Sequence, residues 1–185
     1  VFETCRVTVV SRVTGISFDI EQMQIMPGES RQLTVSVFPE NASVPDVSWR
    51  SDNAQVATVS DKGLVTGISA GEATIHAVTR DGGKMACCNV TVVIPLERMV
   101  LVPSEYTLES IGSSFKIAPV FYPEDATDTE VSWTSADPKI ASVSSDGTVT
   151  AIGPGTTAIT AAAAGGAITS KCVVTVLSPA LAIKI

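Results

Sequence analysis

Residues Val47–Ala77 read VSWRSDNAQVATVSDKGLVTGISAGEATIHA, and residues Val131–Ala161 read VSWTSADPKIASVSSDGTVTAIGPGTTAITA. The two stretches align without a gap at an offset of 84 residues. The same offset carries Gly28 to Gly112, Pro39 to Pro123, Trp49 to Trp133, Gly63 to Gly147, Gly71 to Gly155 and Cys88 to Cys172. A register held over that length is an internal repeat, and a repeat governs the fold before any local propensity does.

The ends of the copies set the units. CNVTVV (Cys88–Val93) closes the first and CVVTVL (Cys172–Leu177) the second, while a third version, CRVTVV, stands at Cys5–Val10. After Ser178-Pro179 the segment ALAIKI resembles the opening of another unit, as TGISF and RMVLV open the two complete ones. The organisation expected is a closing strand of a preceding repeat at residues 1–12, repeat 1 at 13–94, repeat 2 at 95–177, and the start of a following repeat at 178–185, all cut from a longer array.

Within a unit, apolar and polar residues alternate at period two, the pattern of half-buried strands. Leu33, Val35 and Val37 share one face, and Ala73, Ile75 and Ala77 share another. Turn signals at Lys62-Gly63, Asp146-Gly147, Asp81-Gly82-Gly83 and Gly165-Gly166 separate the runs and supply positive φ for hairpins. About seven short strands per unit are expected, an all-β chain of two tandem immunoglobulin-like sandwiches. The alanine-rich run Ala158–Ala167 favours helix by propensity, but it aligns with the strand-forming TIHAVTRDGG, so it is assigned to strand. Trp49 and Trp133, the single tryptophans of their repeats, each follow an inward valine by two positions and are expected to be fully buried between the sheets.

The pattern W-x-S-x-(N/D)-x-x-(V/I)-A-x-V-S-x-x-G-x-V-T-x-I-x-x-G, closing in C-x-V-T-V, runs from Trp49 and again from Trp133. It closely resembles the bacterial immunoglobulin-like domain, group 2. The resemblance implies small β-sandwiches strung in tandem in bacterial and phage surface proteins, including the stalks of intimin- and invasin-like adhesins. It implies an extracytoplasmic location, at a bacterial surface or secreted. It transfers no catalytic or ligand residue, because the shared positions are core and turn positions.

Chemistry-bearing residues are few. Nucleophilic triads need a histidine to move the proton, and His76, the single histidine, is expected to be exposed on its strand, with Thr160 as its counterpart. Glu124, Asp125, Asp128 and Glu130 form an acidic cluster, only part of which recurs as Glu40, Asn41, Val44 and Asp46. A hard cation asks for six or more oxygens in a tight loop, so the cluster is read as a solvated loop. By strand parity Cys88 and Cys172 point inward as buried thiols, Cys87 faces outward opposite in parity, with Lys171 as its counterpart, and Cys5 belongs to the leading stub. The expectation is no catalytic residue, no metal site and no cofactor.

A net charge of −7, from 12 basic and 19 acidic residues, disfavours nucleic acid as a partner. No apolar run approaches the roughly 18 residues of a membrane span, so no membrane insertion by this segment is expected. The function expected is a non-catalytic structural spacer that holds a distal binding or catalytic domain away from a surface, with a role in adhesion. Its partners are other repeats of the same chain. The alternative is a module that binds a glycan or host protein through loop ends, for which Phe18, Tyr106, Phe38 and Tyr122 are the aromatic candidates.

Overall fold

The computed structural model describes residues 9–178. The chain divides into two compact units between Val93 and Ile94. Unit 1 contains nine strands: β1 (Gly15–Phe18), β2 (Gln22–Ile25), β3 (Ser30–Gln32), β4 (Val35–Phe38), β5 (Val47–Ser51), β6 (Ala57–Val59), β7 (Leu64–Gly67), β8 (Gly71–Thr79) and β9 (Met85–Val92). Unit 2 repeats them as β10 (Arg98–Val102), β11 (Glu105–Leu108), β12 (Ser114–Lys116), β13 (Ala118–Tyr122), β14 (Val131–Ser135), β15 (Ala141–Val143), β16 (Thr148–Ala151), β17 (Gly155–Ala163) and β18 (Ile168–Val176).

Each unit builds the same sheets. In unit 1 a four-stranded sheet runs β2-β9-β8-β5, a three-stranded one β3-β7-β6, and a pair β1-β4; unit 2 matches them strand for strand. The β2-β9 and β11-β18 pairings are parallel and the others antiparallel. This is the sandwich that the repeat and its alternation predict.

The alternation places the cores. Ala73, Ile75 and Ala77 of β8 and Cys88, Val90 and Val92 of β9 are buried, and with Ile25, Leu33, Ala57 and Val65 they form the core of unit 1. Ile159, Ala161, Cys172, Val174, Val176, Ile117, Ala141 and Val149 do the same in unit 2. Both cores lie within their own repeat.

Three expectations are corrected by the structure. The run around Leu33–Val37 is two strands and not one: β3 ends at Gln32 and pairs with β7, whereas β4 starts at Val35 and pairs with β1. Leu33 stays inward at the crossing, with its backbone N–H donating to the Gly63 carbonyl at 2.9 Å, and Ile117 does the same with Gly147 at 3.0 Å. The alternation continues unbroken through the change of sheet, so one apolar run yields two of the nine strands. In the alanine-rich run, β17 ends at Ala163 and Ala164–Gly166 form a 3-10 turn, so the strand assignment fails from Ala164 while the turn expected at Gly165-Gly166 is present. Ala164, Gly165 and Gly166 all have positive φ, which no strand accommodates. Up to Ala163, pairing with β14 and β18 overrides the helix propensity of alanine.

The third correction concerns the tryptophans, which are half-buried and not fully buried. Their strands, β5 and β14, are edge strands of the four-stranded sheets, so each indole has a neighbouring strand on one side only. Phe18 covers the Trp49 ring, with centroids 5.3 Å apart.

The offset itself has fine structure. Ile16 pairs with Val37 and Met99 with Phe121, so β1 maps to β10 at 83 residues while β4 maps to β13 at 84. The extra residue lies in the loop between β11 and β12, where Glu109, Ser110 and Ile111 stand in place of Met26 and Pro27. The strands expected at Cys5–Val10 and Ala180–Ile185 fall outside the described residues, apart from Val9 and Val10, which are exposed and not in a strand.

Candidate functional site

The outer face of the β2-β9-β8-β5 sheet collects the chemistry-bearing side chains of unit 1. Strand parity turns Cys87, Asn89 and Thr91 of β9 outward together with Glu72, Thr74 and His76 of β8, Arg50 of β5 and Gln22 of β2. The hairpin register then sets them in rows: Arg50 opposite His76, and His76 opposite Cys87. The Cys87 Sγ lies 3.3 Å from His76 Nδ1. His76 is therefore half-buried beside a thiol and is not the freely exposed histidine that the sequence suggests.

One pleat further along, roughly 7 Å away, an open polar concavity of about 460 Å³ is lined by Gln22, Asp52, Glu72, Thr74, Asn89 and Thr91. Asp52 sits at its edge with a carboxyl held below the ordinary range. The main cause is the Thr74 backbone N–H, which donates to Asp52 Oδ1 at 2.7 Å. Slight desolvation opposes this, and the Thr74 hydroxyl and the nearby charge of His76 reinforce it. The row thus carries a cation, an imidazole and a thiol, with a carboxylate close by. Unit 2 places Thr134, Thr160 and Lys171 in the same row and has no such pair.

Cys88 and Cys172 are buried, as parity predicts. Burial pushes both thiols above their usual range, and the negative charges of Asp19 and Glu105, respectively, add to it. A thiol kept protonated in apolar surroundings is chemically inert.

The other sequence candidates are dispersed. Glu124, Asp125, Asp128 and Glu130 are exposed on the connection between β13 and β14. Among the described residues no three His, Cys, Asp or Glu side chains converge as a metal site. Phe18 packs against the core through Trp49. Tyr106 stacks on Phe115 with centroids 3.9 Å apart, and the Arg98 guanidinium lies 4.1 Å from the Tyr122 ring centre. Phe38 and Tyr122 are both exposed, at 46% and 41%.

The Cys87–His76 pair escapes a reading based on residue types at fixed sequence spacing. Its signal is the turn at Asp81-Gly82-Gly83, which folds β8 onto β9 and sets position 76 against position 87.

Two tandem sandwiches with these sheets, matched strand for strand, define an immunoglobulin-like β-sandwich repeat protein. The family model for the bacterial Ig-like domain (group 2) matches residues 12–90 and 99–174, and the chain belongs to that family. It is 32% identical over 159 residues to an Ig-like virion protein of Serratia phage KSP90, covering 80% of this chain and 59% of that protein. It is 27% identical over 153 residues to an uncharacterised protein of Clostridium acetobutylicum, covering 83% of this chain and 16% of that one. Among solved structures, domains 1–6 of the surface layer protein SbsC align over 95% of this chain and 29% of theirs, at 19% identity and a TM-score of 0.43.

Proposed function

We propose that the two repeats are a non-catalytic structural spacer in a surface-exposed or secreted protein, carrying a distal binding or catalytic domain. Family membership supports a structural or adhesion-type role, and the virion relative supports placement outside the cytoplasm.

The observation that carries the spacer reading is the anchoring of the connection. The backbone N–H of Val93 donates to the Ile25 carbonyl at 3.0 Å, and the carbonyl of the next residue, Ile94, accepts from Thr127 at 2.9 Å. The last backbone group tied to unit 1 and the first tied to unit 2 therefore belong to consecutive residues. The same ties recur at the other ends: Ser11 accepts from Ser43 at 2.9 Å, and Leu177 donates to Leu108 at 2.9 Å. Pro95 follows Ile94 directly and fixes its own φ. Only the φ and ψ of Val93 and Ile94 lie between the two tied groups, so the connection offers few torsions at which a hinge could turn.

The test is NMR relaxation on the two-repeat chain. A spacer gives both units a common rotational correlation time, and an insertion of Gly and Ser residues between Val93 and Ile94 separates them. Independent tumbling of the units without the insertion would remove the reading.

A further inference from the structure

The outer face of unit 1 carries an arrangement that a spacer does not need. Cys87 is exposed, and its Sγ lies 3.3 Å from Nδ1 of His76. The two sit directly opposite on β8 and β9, so the sheet ladder and not a mobile loop holds them together. A thiol becomes a nucleophile only as it loses its proton, and an imidazole nitrogen at this distance is positioned to take it. Arg50, opposite His76 on β5, places a positive charge in the same row. Cys87 is open to solvent, and the polar concavity begins one pleat away at Thr74 and Asn89. Cys88, one residue on, points inward and has neither access nor a base.

We propose that Cys87 and His76 form a thiol–disulfide exchange site, at which unit 1 is covalently modified by small disulfides. In the step, His76 Nδ1 takes the Cys87 proton as Sγ attacks one sulfur of the disulfide. The new Sγ–S bond forms as the old S–S bond breaks, and the departing thiolate recovers the proton from His76. One disulfide is consumed and one is formed, so no external oxidant is required.

The repeat supplies its own control, because Lys171 and Thr160 occupy the equivalent positions of unit 2. In a Cys5→Ser background, the rate of mixed-disulfide formation with oxidised glutathione is measured at neutral pH by mass spectrometry with peptide mapping. His76→Ala is expected to slow the reaction at Cys87 roughly fivefold. In a Cys5→Ser/Cys87→Ser background, Lys171→Cys creates an exposed thiol without a base. Adding Thr160→His to it is expected to speed that thiol by a similar factor. The proposal requires both changes; equal rates within either pair overturn it. Accumulation of a covalent dimer in place of the glutathione adduct overturns the assignment to small disulfides.

Discussion

Gly63 lies directly against the indole of Trp49: a Cβ at position 63 would come within 2.8 Å of two Trp49 ring carbons and of the Leu33 carbonyl oxygen. The same relationship recurs between Gly147 and Trp133, where the ring is 2.9 Å from the added atom and the Ile117 oxygen 2.7 Å. The glycine closes the hairpin, receives the N–H of the residue that crosses between sheets, and forms the floor on which the tryptophan lies.

Gly63→Ala therefore meets both a positive φ of 79° and a wall of backbone and ring atoms. Gly28 has a similar φ of 82° with nothing within 4 Å, so Gly28→Ala meets only the first cost. Urea unfolding is expected to show a loss of about 1 kcal/mol for Gly28→Ala and clearly more, about 3 kcal/mol, for Gly63→Ala. Equal losses would contradict the packing role of Gly63.

A fully buried tryptophan cut to alanine costs about 3 to 5 kcal/mol. Trp133 is half-buried on an edge strand, so Trp133→Ala should fall below that range, at about 2 kcal/mol. Denaturation of repeat 2 followed by circular dichroism measures it. A loss at the top of the range would mean that the indole is more enclosed than its edge position allows.

The core thiols give an independent check on strand parity. Under native conditions an alkylating reagent should label Cys87 quickly, and Cys88 and Cys172 only as fast as the sandwiches open. Rapid labelling of Cys172 in the folded protein would contradict the inward face of β18.

Asp146 organises the turn between β15 and β16. The Ser144 hydroxyl is the largest influence holding its carboxyl far below the usual range, followed by the Thr148 hydroxyl at 2.9 Å and the Thr148 N–H at 3.2 Å. Slight desolvation opposes them, and Lys116, at 3.4 Å, adds to them. A carboxyl depressed on folding contributes stability that is present above its unfolded value, about 3.9, and is lost as pH falls through the folded value. In acid unfolding of repeat 2, Asp146→Asn should flatten the decline in stability below about pH 4. An unchanged profile would show that these hydrogen bonds contribute nothing to folding.

The parts of this fold that were legible in the sequence are those set by period and parity. The repeat follows from an ungapped offset, the hairpin glycines from the positive φ that tight turns need, and the inward faces of β8 and β9, with the buried Cys88 and Cys172, from residues two apart sharing a face. What stayed hidden depends on which strands become neighbours. Leu33 continues the alternation while the chain changes sheets, so the break leaves no trace in the pattern. The half-burial of Trp49 depends on β5 lying at a sheet edge. The meeting of His76 with Cys87 depends on hairpin register, which parity alone does not supply.

The proposed spacer role rests on a connection so short that only the torsions of Val93 and Ile94 lie between the ties to unit 1 and to unit 2. Electron–electron distance measurement tests it most directly, with spin labels placed by Lys62→Cys and Lys171→Cys in a Cys5→Ser/Cys87→Ser background. A single narrow distance distribution is expected, broadening when Gly and Ser residues are inserted between Val93 and Ile94. A distribution already as broad in the uninserted chain would contradict the spacer.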